Sequence, residues 1–199
     1  MTAPVIFVVD DDAAIGRAIA SAGKLLGHEV RSFASAAEFL AAYDPEQPGC
    51  LVLDILMPTM TGLELQHRLA DLNMPIPIVM ISGHADVRIA VEAMAHGAQT
   101  LLEKPFRLDE LLTHLRNAIA KDAEIRAARA QQGEAGARLA AITAKEREVL
   151  DMIAAGKTNR EMAETLGISV RGVEDRRAKL MKKVGVRSVA ELVQRLLGP

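Results

Sequence analysis

The chain has 199 residues, half of them hydrophobic and only 3% aromatic, with 24 Lys/Arg against 26 Asp/Glu and a formal charge of −2. That length suits one large domain or two small ones, with Ala, Leu, Val, Ile and Met filling the core. No apolar run is long enough to span a bilayer, no basic-then-apolar segment opens the chain, and the single Cys50 excludes an internal disulfide. A cytoplasmic protein without a membrane partner is therefore expected.

The charge is unevenly spread. Residues 1–120 hold 8 Lys/Arg and 15 Asp/Glu, whereas residues 121–199 hold 16 and 11. An acidic half joined to a basic half points to two domains, the second facing a polyanion.

From residue 5 to about 120, apolar runs of strand length alternate with segments of helical period. Val5–Val9 is followed by Ile15, Ile19, Ala22, Leu25 and Leu26, a helix ended by Gly27. Val30 and Phe33 mark a second strand, and Ser35 with Glu38 forms a capping box for the next helix. A Pro- and Gly-containing loop, residues 45–49, leads into the run Leu51-Val52-Leu53-Asp54. Leu63, Leu65, Leu69 and Leu72 form the third helical stripe, and Ile78–Ile81 is the fourth strand. Val87, Ala90, Val91 and Met94 form the fourth stripe, closed by Gly97. After the strand Thr100–Leu102, Leu108, Leu111, Leu112, Leu115 and Ile119 form the fifth. Five strand–helix repeats predict a doubly wound, five-stranded parallel α/β sheet with helices on both faces.

Residues 121 to about 138 are rich in Ala and charge. They read as a partly helical linker with a flexible break at Gln131–Gly136. From residue 139 the pattern is all helical. Thr143/Glu146, Thr158/Glu161 and Ser188/Glu191 are capping boxes, and Ser169 is the expected N-cap after the Gly167 turn. The predicted boundaries are 1–121, a linker over 122–138, and a four-helix domain over 139–199.

Four strand segments end on polar side chains: Asp10, Asp11 and Asp12; Asp54; Ser82; Glu103 and Lys104. In a parallel sheet, residues just past the carboxyl ends of the strands gather on one edge. Clustered Asp10, Asp11 and Asp54 would raise one another's pKa unless a cation joined them. Mg²⁺ is the expected occupant, because it takes oxygen ligands and bridges to phosphate. An Asp54 oxygen would then attack a phosphoryl group in line, with Lys104 and Ser82 contacting the transferred oxygens. Singly, these residues have plainer roles, since acids favour helix N-termini and Lys-Pro can form an ordinary turn. Together, at the ends of four strands, they point to phosphoryl transfer.

Val8-Val9-Asp10-Asp11-Asp12, Leu53-Asp54-Ile55-Leu56-Met57-Pro58, Ser82-Gly83-His84 and Glu103-Lys104-Pro105-Phe106 resemble the receiver domain of two-component response regulators, over about residues 3–120. The resemblance implies a flavodoxin-like fold and a phosphoacceptor Asp54 served by a histidine kinase. It implies Mg²⁺ bound by Asp11, Asp54 and the backbone carbonyl of Leu56, with Asp10 acting through water. Ser82 and Lys104 would contact the phosphoryl group, and the Lys104–Pro105 bond is expected to be cis. Where receivers usually carry Phe or Tyr in the switch, this chain has Leu101. A leucine has no ring to exchange between two pockets. The five histidines show no metal spacing and read as surface or packing residues.

At the basic end, residues 171–187 hold Arg171, Arg176, Arg177, Lys179, Lys182, Lys183 and Arg187 against Glu174 and Asp175. Val170, Val173, Leu180, Met181 and Val184 form an apolar stripe, with Arg171, Asp175, Lys179 and Lys182 roughly opposite. An apolar side on a bundle and a cationic side in solvent fits a DNA major groove. The segments Thr143–Leu150, Gly156–Ala163, Leu166–Ser169 and Arg177–Lys183 resemble the LuxR-type helix-turn-helix. Residues 159–166 would be the supporting helix and 170–184 the recognition helix. DNA contacts are then expected from Lys157, Thr158, Arg171, Glu174, Asp175, Ala178, Lys179 and Lys182. Gly172 and Arg176 depart from the family's usual Thr and His, and an Asp175 able to accept from cytosine predicts an unusual operator.

The whole chain is similar to the NarL/FixJ class of response regulators. That resemblance implies a transcription factor whose phosphorylation at Asp54 controls homodimerisation and binding of double-stranded DNA. Its only expected chemistry is self-phosphorylation from small donors and slow dephosphorylation. Two rival readings are a DNA-binding regulator whose receiver works without phosphate, and a phosphorelay or phosphate-sink protein whose helical domain binds protein.

Overall fold

The computed structural model describes residues 2–83 and 87–192, and the expectation for His84 lies outside them. Two compact units divide between Ala127 and Ala128.

The first unit is built on five parallel strands: β1 (Val5–Val9), β2 (Glu29–Phe33), β3 (Gly49–Asp54), β4 (Ile78–Ser82) and β5 (Thr100–Glu103), in the order β2-β1-β3-β4-β5. β1, β3 and β4 are buried along their whole length. A central parallel strand is covered on both faces, so it reads as an unbroken apolar run. β2, at the edge, is only partly covered.

Because strand side chains alternate faces, one strand feeds two cores. Ile6, Val8, Val52, Val79 and Ile81 meet Ile19 and Ala22 of α1 (Ala13–Leu26) and Leu111 and Leu115 of α5 (Leu108–Ala140). Phe7, Leu51, Leu53 and Met80 meet Phe39 of α2 (Ala36–Ala42), Leu65 and Leu69 of α3 (Gly62–Asp71), and Ala93 of α4 (Val87–Ala95). Three of the four Phe residues, Phe7, Phe33 and Phe39, form one ring cluster with the single Tyr43, which touches Phe7 and Phe39 while Phe33 touches Phe7 and Phe39, at centroid distances of 5.0–6.5 Å. The few aromatics are thus concentrated on the α2 side of the sheet.

Two parts of the predicted helical stripes do not enter the core. On α4, only Ala93 is fully buried; Val87 is 76% exposed, Val91 63% and Met94 48%. Leu25 on α1 and Leu108 at the start of α5 are also exposed. Helical spacing places these residues on one side of a helix but does not say what covers that side.

The first compact unit runs on past residue 121 to Ala127. Asp122 is fully buried in the first unit, and its Oδ2 accepts from Gly49 N at 2.9 Å and Arg126 Nε at 2.8 Å. The Arg126 guanidinium also donates to the carbonyls of Pro45, Glu46 and Gln47. The break expected at Gln131–Gly136 is helical instead, within α5. Its neighbours are mostly strong helix formers, and Arg138 pairs with Glu134 one turn away.

The second unit contains α6 (Ala144–Ala154), α7 (Asn159–Leu166) and α8 (Val170–Val184). Thr143 with Glu146 and Thr158 with Glu161 form reciprocal capping boxes, and Ser169 Oγ accepts from Gly172 N at 3.1 Å. Residues 189–192 are helical after Ser188, whose Oγ accepts from Glu191 N; residues 193–199 lie outside the described residues. Val149, Leu150, Ile153, Met162, Val173, Leu180, Val184 and Leu192 form the core. Val170, expected in the apolar stripe, is 42% exposed.

Gly172 needs no special backbone angle, and an added Cβ would meet its neighbours no closer than 3.4 Å, an ordinary contact. Gly172→Ala is therefore expected to raise stability by roughly 0.5–1 kcal/mol through lower unfolded-chain entropy and better helix propensity. Urea denaturation would show this as a higher midpoint at constant slope.

Among the described residues, no helix is long and apolar enough to cross a membrane.

Candidate functional site

The carboxyl ends of β1, β3, β4 and β5 bring the predicted acids, hydroxyl and lysine to one edge. Asp10, Asp11 and Asp54 each offer a carboxylate oxygen, all within 4.8 Å of one another. Asp10 and Asp54 are buried, and Asp11 is exposed. Lys104 reaches across, its Nζ 2.7 Å from Asp10 Oδ2 and 3.3 Å from Asp54 Oδ2.

Asp10 is already engaged by protein groups. Its Oδ1 accepts from Asp12 N at 2.8 Å and its Oδ2 from Lys104. Asp12 turns away from the cluster to cap α1, accepting from Ala14 N. The three successive acids therefore divide between anchoring the lysine, facing solvent and starting a helix.

Two opposing effects set the charge of the site. Burial raises the pKa of the Asp54 carboxyl, and neighbouring Asp10 adds to this; Lys104 and the Leu56 N–H oppose them without cancelling them. Burial alone would lower the pKa of Lys104, but its bond to Asp10 and the charges of Asp10 and Asp54 outweigh that and raise it. The lysine remains a cation, while the surroundings of Asp54 on balance disfavour its charged form. Buried Cys50, its thiol pushed up to about 12 mainly by burial, is not a competing nucleophile.

The backbone after Asp54 is held tightly. Thr59 adopts a left-handed conformation with φ +73°, and Gly62 N donates to the Ile55 carbonyl at 2.9 Å. A Cβ on Gly62 would lie 2.2 Å from the Asp54 carbonyl oxygen. This approach lets α3 begin directly against the turn carrying Asp54, Ile55 and Leu56. Leu56 has an exposed side chain.

Ser82 is fully buried at the end of β4, and its carbonyl accepts from Lys104 N at 2.7 Å. The Lys104–Pro105 peptide is cis. Leu101 lies on β5, half-buried against the α3–α4 side of the core.

On the second unit, Arg171, Glu174, Asp175, Ala178, Lys179 and Lys182 are all exposed on α8. Lys157 and Thr158 are exposed at the start of α7, where the Thr158 side chain serves the capping box. The remaining basic residues divide differently from a single charged face. Arg177 bonds to Asn159 Oδ1 of α7, and Lys183 Nζ lies 2.8 Å from Glu146 Oε2 of α6. Those two cations lock the bundle. Their partners lie 18 and 37 residues away, so local spacing gave no signal for them.

Lys183, followed by the Thr143 N–H and hydroxyl, holds the Glu146 carboxyl down to about 2, against an ordinary 4.5. A depressed carboxyl stabilises the fold fully above its unfolded value and loses that contribution as pH falls through its folded one. The stability difference between wild type and Lys183→Met is therefore expected to be largest above pH 4.5 and to shrink towards pH 2. Denaturation of the second unit as a function of pH would reveal it.

Comparison with known proteins agrees with both halves. Residues 6–116 match the profile of the response regulator receiver domain, and residues 140–196 that of bacterial regulatory proteins of the luxR family. The chain is 36% identical to Nodulation protein W of Bradyrhizobium diazoefficiens, covering 97% of this chain and 85% of that protein. It is 38% identical to the transcriptional regulatory protein FixJ of Azorhizobium caulinodans, over 96% and 91%. The solved structure of the response regulator StyR is similar with a TM-score of 0.86 and 38% identity, covering 98% of this chain and 99% of that one. The chain belongs to the two-component response regulators of the NarL/FixJ class, transcription regulators that join a receiver domain to a LuxR-type helix-turn-helix domain.

Proposed function

We propose that Asp54 is the phosphoacceptor and that its phosphorylation controls dimerisation and DNA binding. A histidine kinase supplies the phosphoryl group: the N–P bond to the kinase histidine breaks as an Asp54 Oδ–P bond forms. The observation that carries this reading is the Lys104 ammonium held between Asp10 and Asp54 at a sheet edge where three carboxylates converge. Lys104 would neutralise the transferred oxygens, and the Ser82 hydroxyl would hydrogen-bond one of them.

The donor set fits Mg²⁺, a hard cation that takes oxygen ligands. Asp11, Asp54 and the Leu56 carbonyl would hold it, with Asp10 assisting through water because its own oxygens are engaged. When bound, the ion supplies the positive charge that the raised Asp54 pKa calls for. The chain is a cytoplasmic regulator and not an enzyme in the ordinary sense; its chemistry is self-phosphorylation from small donors and slow loss of phosphate.

Phosphorylation would act on the surface made by α4, β5 and the start of α5, where Val87, Val91, Met94 and Leu108 are exposed. An apolar patch of this kind suits a second copy of the chain. A dimer would place two α8 helices in successive major grooves about one helical turn apart. Lys157, Arg171, Lys179 and Lys182 would meet phosphates or base edges, and Glu174, Asp175, Thr158 and Ala178 would complete the contact surface. Leu101 in place of an aromatic ring means that the receiver moves without the usual ring exchange.

Titrating double-stranded operator DNA with phosphorylated protein, unmodified protein and Asp54→Asn at several salt concentrations tests this. Phosphorylation should tighten binding, Asp54→Asn should abolish that gain, and log affinity should fall linearly with log salt. Lys179→Ala should reduce the salt slope by about 1. Equal affinity with and without phosphate would overturn the control step, and salt-independent binding would overturn the α8 interface.

A further inference from the structure

We propose that His67 and His96 form a two-imidazole site for a zinc-class transition-metal ion, joining α3 to the end of α4. The two rings lie with centroids 4.1 Å apart and planes inclined by 48°. His67 lies on α3, and His96 follows the last residue of α4. Neither histidine belongs to the acid cluster.

The nitrogens have the chemistry of metal ligands. His96 Nδ1 lies 2.8 Å from the Glu92 carbonyl. With the proton on Nδ1 that contact is a hydrogen bond, and the Nε2 lone pair is left available. A ligating histidine commonly gives its other N–H to a backbone carbonyl in this way, which fixes the tautomer and ring orientation. His67 Nε2 is buried and has no hydrogen-bond partner. A shielded ring nitrogen without a partner is costly unless something satisfies it, and a metal ion can do so.

The backbone is preorganised. Buried Gln66, beside His67, donates from Nε2 to the carbonyls of Ala93 and His96, both at 3.0 Å. The chain segment carrying His96 is therefore tied to the helix carrying His67 without help from either imidazole.

Among the described residues no third His, Cys or carboxylate ligand atom clusters with the two imidazoles, so water would complete the shell. Glu64, before His67 on α3, is engaged by the N–H and hydroxyl of Thr61 and is not available. In a tetrahedral site with Zn–N bonds of about 2.1 Å, two ligating rings have centroids roughly 5 Å apart. The rings need to part by about 1 Å, a side-chain adjustment that leaves the Gln66 bonds in place. Imidazole favours Zn²⁺, Ni²⁺ and Cu²⁺ over Mg²⁺, which keeps oxygen ligands, so the two metal sites would differ in selectivity.

Zn²⁺ is titrated calorimetrically into the full chain in saturating Mg²⁺, using wild type, His67→Gln, His96→Gln and Asp54→Asn, each checked by circular dichroism. The expected result is one Zn²⁺ per chain, at least tenfold weaker in either histidine variant and unchanged in Asp54→Asn. Imidazole resonances of His67 and His96 should shift on Zn²⁺ addition. No Zn²⁺ binding by wild type would overturn the proposal. So would binding lost in Asp54→Asn but kept in both histidine variants, which would assign the ion to the acid cluster.

Discussion

Replacing Asp122 with alanine is expected to destabilise the first unit by about 3–5 kcal/mol, the usual cost of breaking a buried ion pair by removing one partner. One oxygen of Asp122 receives both the Gly49 N–H and the Arg126 guanidinium, and its side chain is 3% exposed. Without it, a backbone donor at the start of β3 loses its acceptor. Gly49 cannot simply move, because a Cβ there would lie 1.9 Å from the Val5 carbonyl, and the chain is pressed against β1. Arg126, at 26% exposure, recovers part of its hydration and keeps its bonds to the carbonyls of Pro45, Glu46 and Gln47. Arg126→Met leaves the buried Asp122 carboxylate with only the Gly49 N–H and strips three carbonyls of their donor, so it should cost at least as much as Asp122→Ala. Urea denaturation decides this: a large fall in midpoint at unchanged slope is predicted for Asp122→Ala. An unchanged midpoint would mean that the loop over residues 45–49 does not depend on the clamp.

Gly62→Ala is expected to cost about 3 kcal/mol, at the upper end of ordinary overpacking, and to slow phosphorylation by about 10²-fold. The new Cβ would fall 2.2 Å from the Asp54 carbonyl oxygen and 3.0 Å from Ile55 Cα. Backbone cannot yield as a flexible side chain does, so α3 and the Asp54 turn must separate. That movement displaces the acceptor carboxylate and the Leu56 carbonyl together, and a misplacement of about 1 Å costs rates of this order. Gly83→Ala is the control, since an added Cβ there meets nothing within 4 Å. Phosphorylation of both variants with a small donor, followed over time by intact mass, separates a local displacement from a general loss of fold.

The parts of the molecule that could be read from sequence are those whose signal is local. β1, β3 and β4 are unbroken apolar runs because both faces are buried, and each ends on the polar residue it presents at the sheet edge. That rule was enough to gather Asp10, Asp11, Asp54, Ser82 and Lys104 at one edge. The α8 residues expected to face DNA are exposed for a similar reason, since a 3.6-residue period separates them from Val173, Leu180 and Val184. What remained hidden depends on partners far along the chain. Asp122 looks like one more solvated charge in an Ala-rich segment, but it is buried against Gly49, 73 residues away. Lys183 and Arg177 look like part of a cationic face, but they are spent on Glu146 and Asn159. Val87, Val91 and Met94 have core-like spacing and lie in solvent, because periodicity does not identify the surface opposite.

The most direct test of the account is the intact mass of wild type and Asp54→Asn after incubation with a small-molecule phosphodonor and Mg²⁺. One added phosphoryl group is predicted on wild type and none on Asp54→Asn. No addition to folded wild type, or equal addition to both proteins, would contradict Asp54 as the phosphoacceptor.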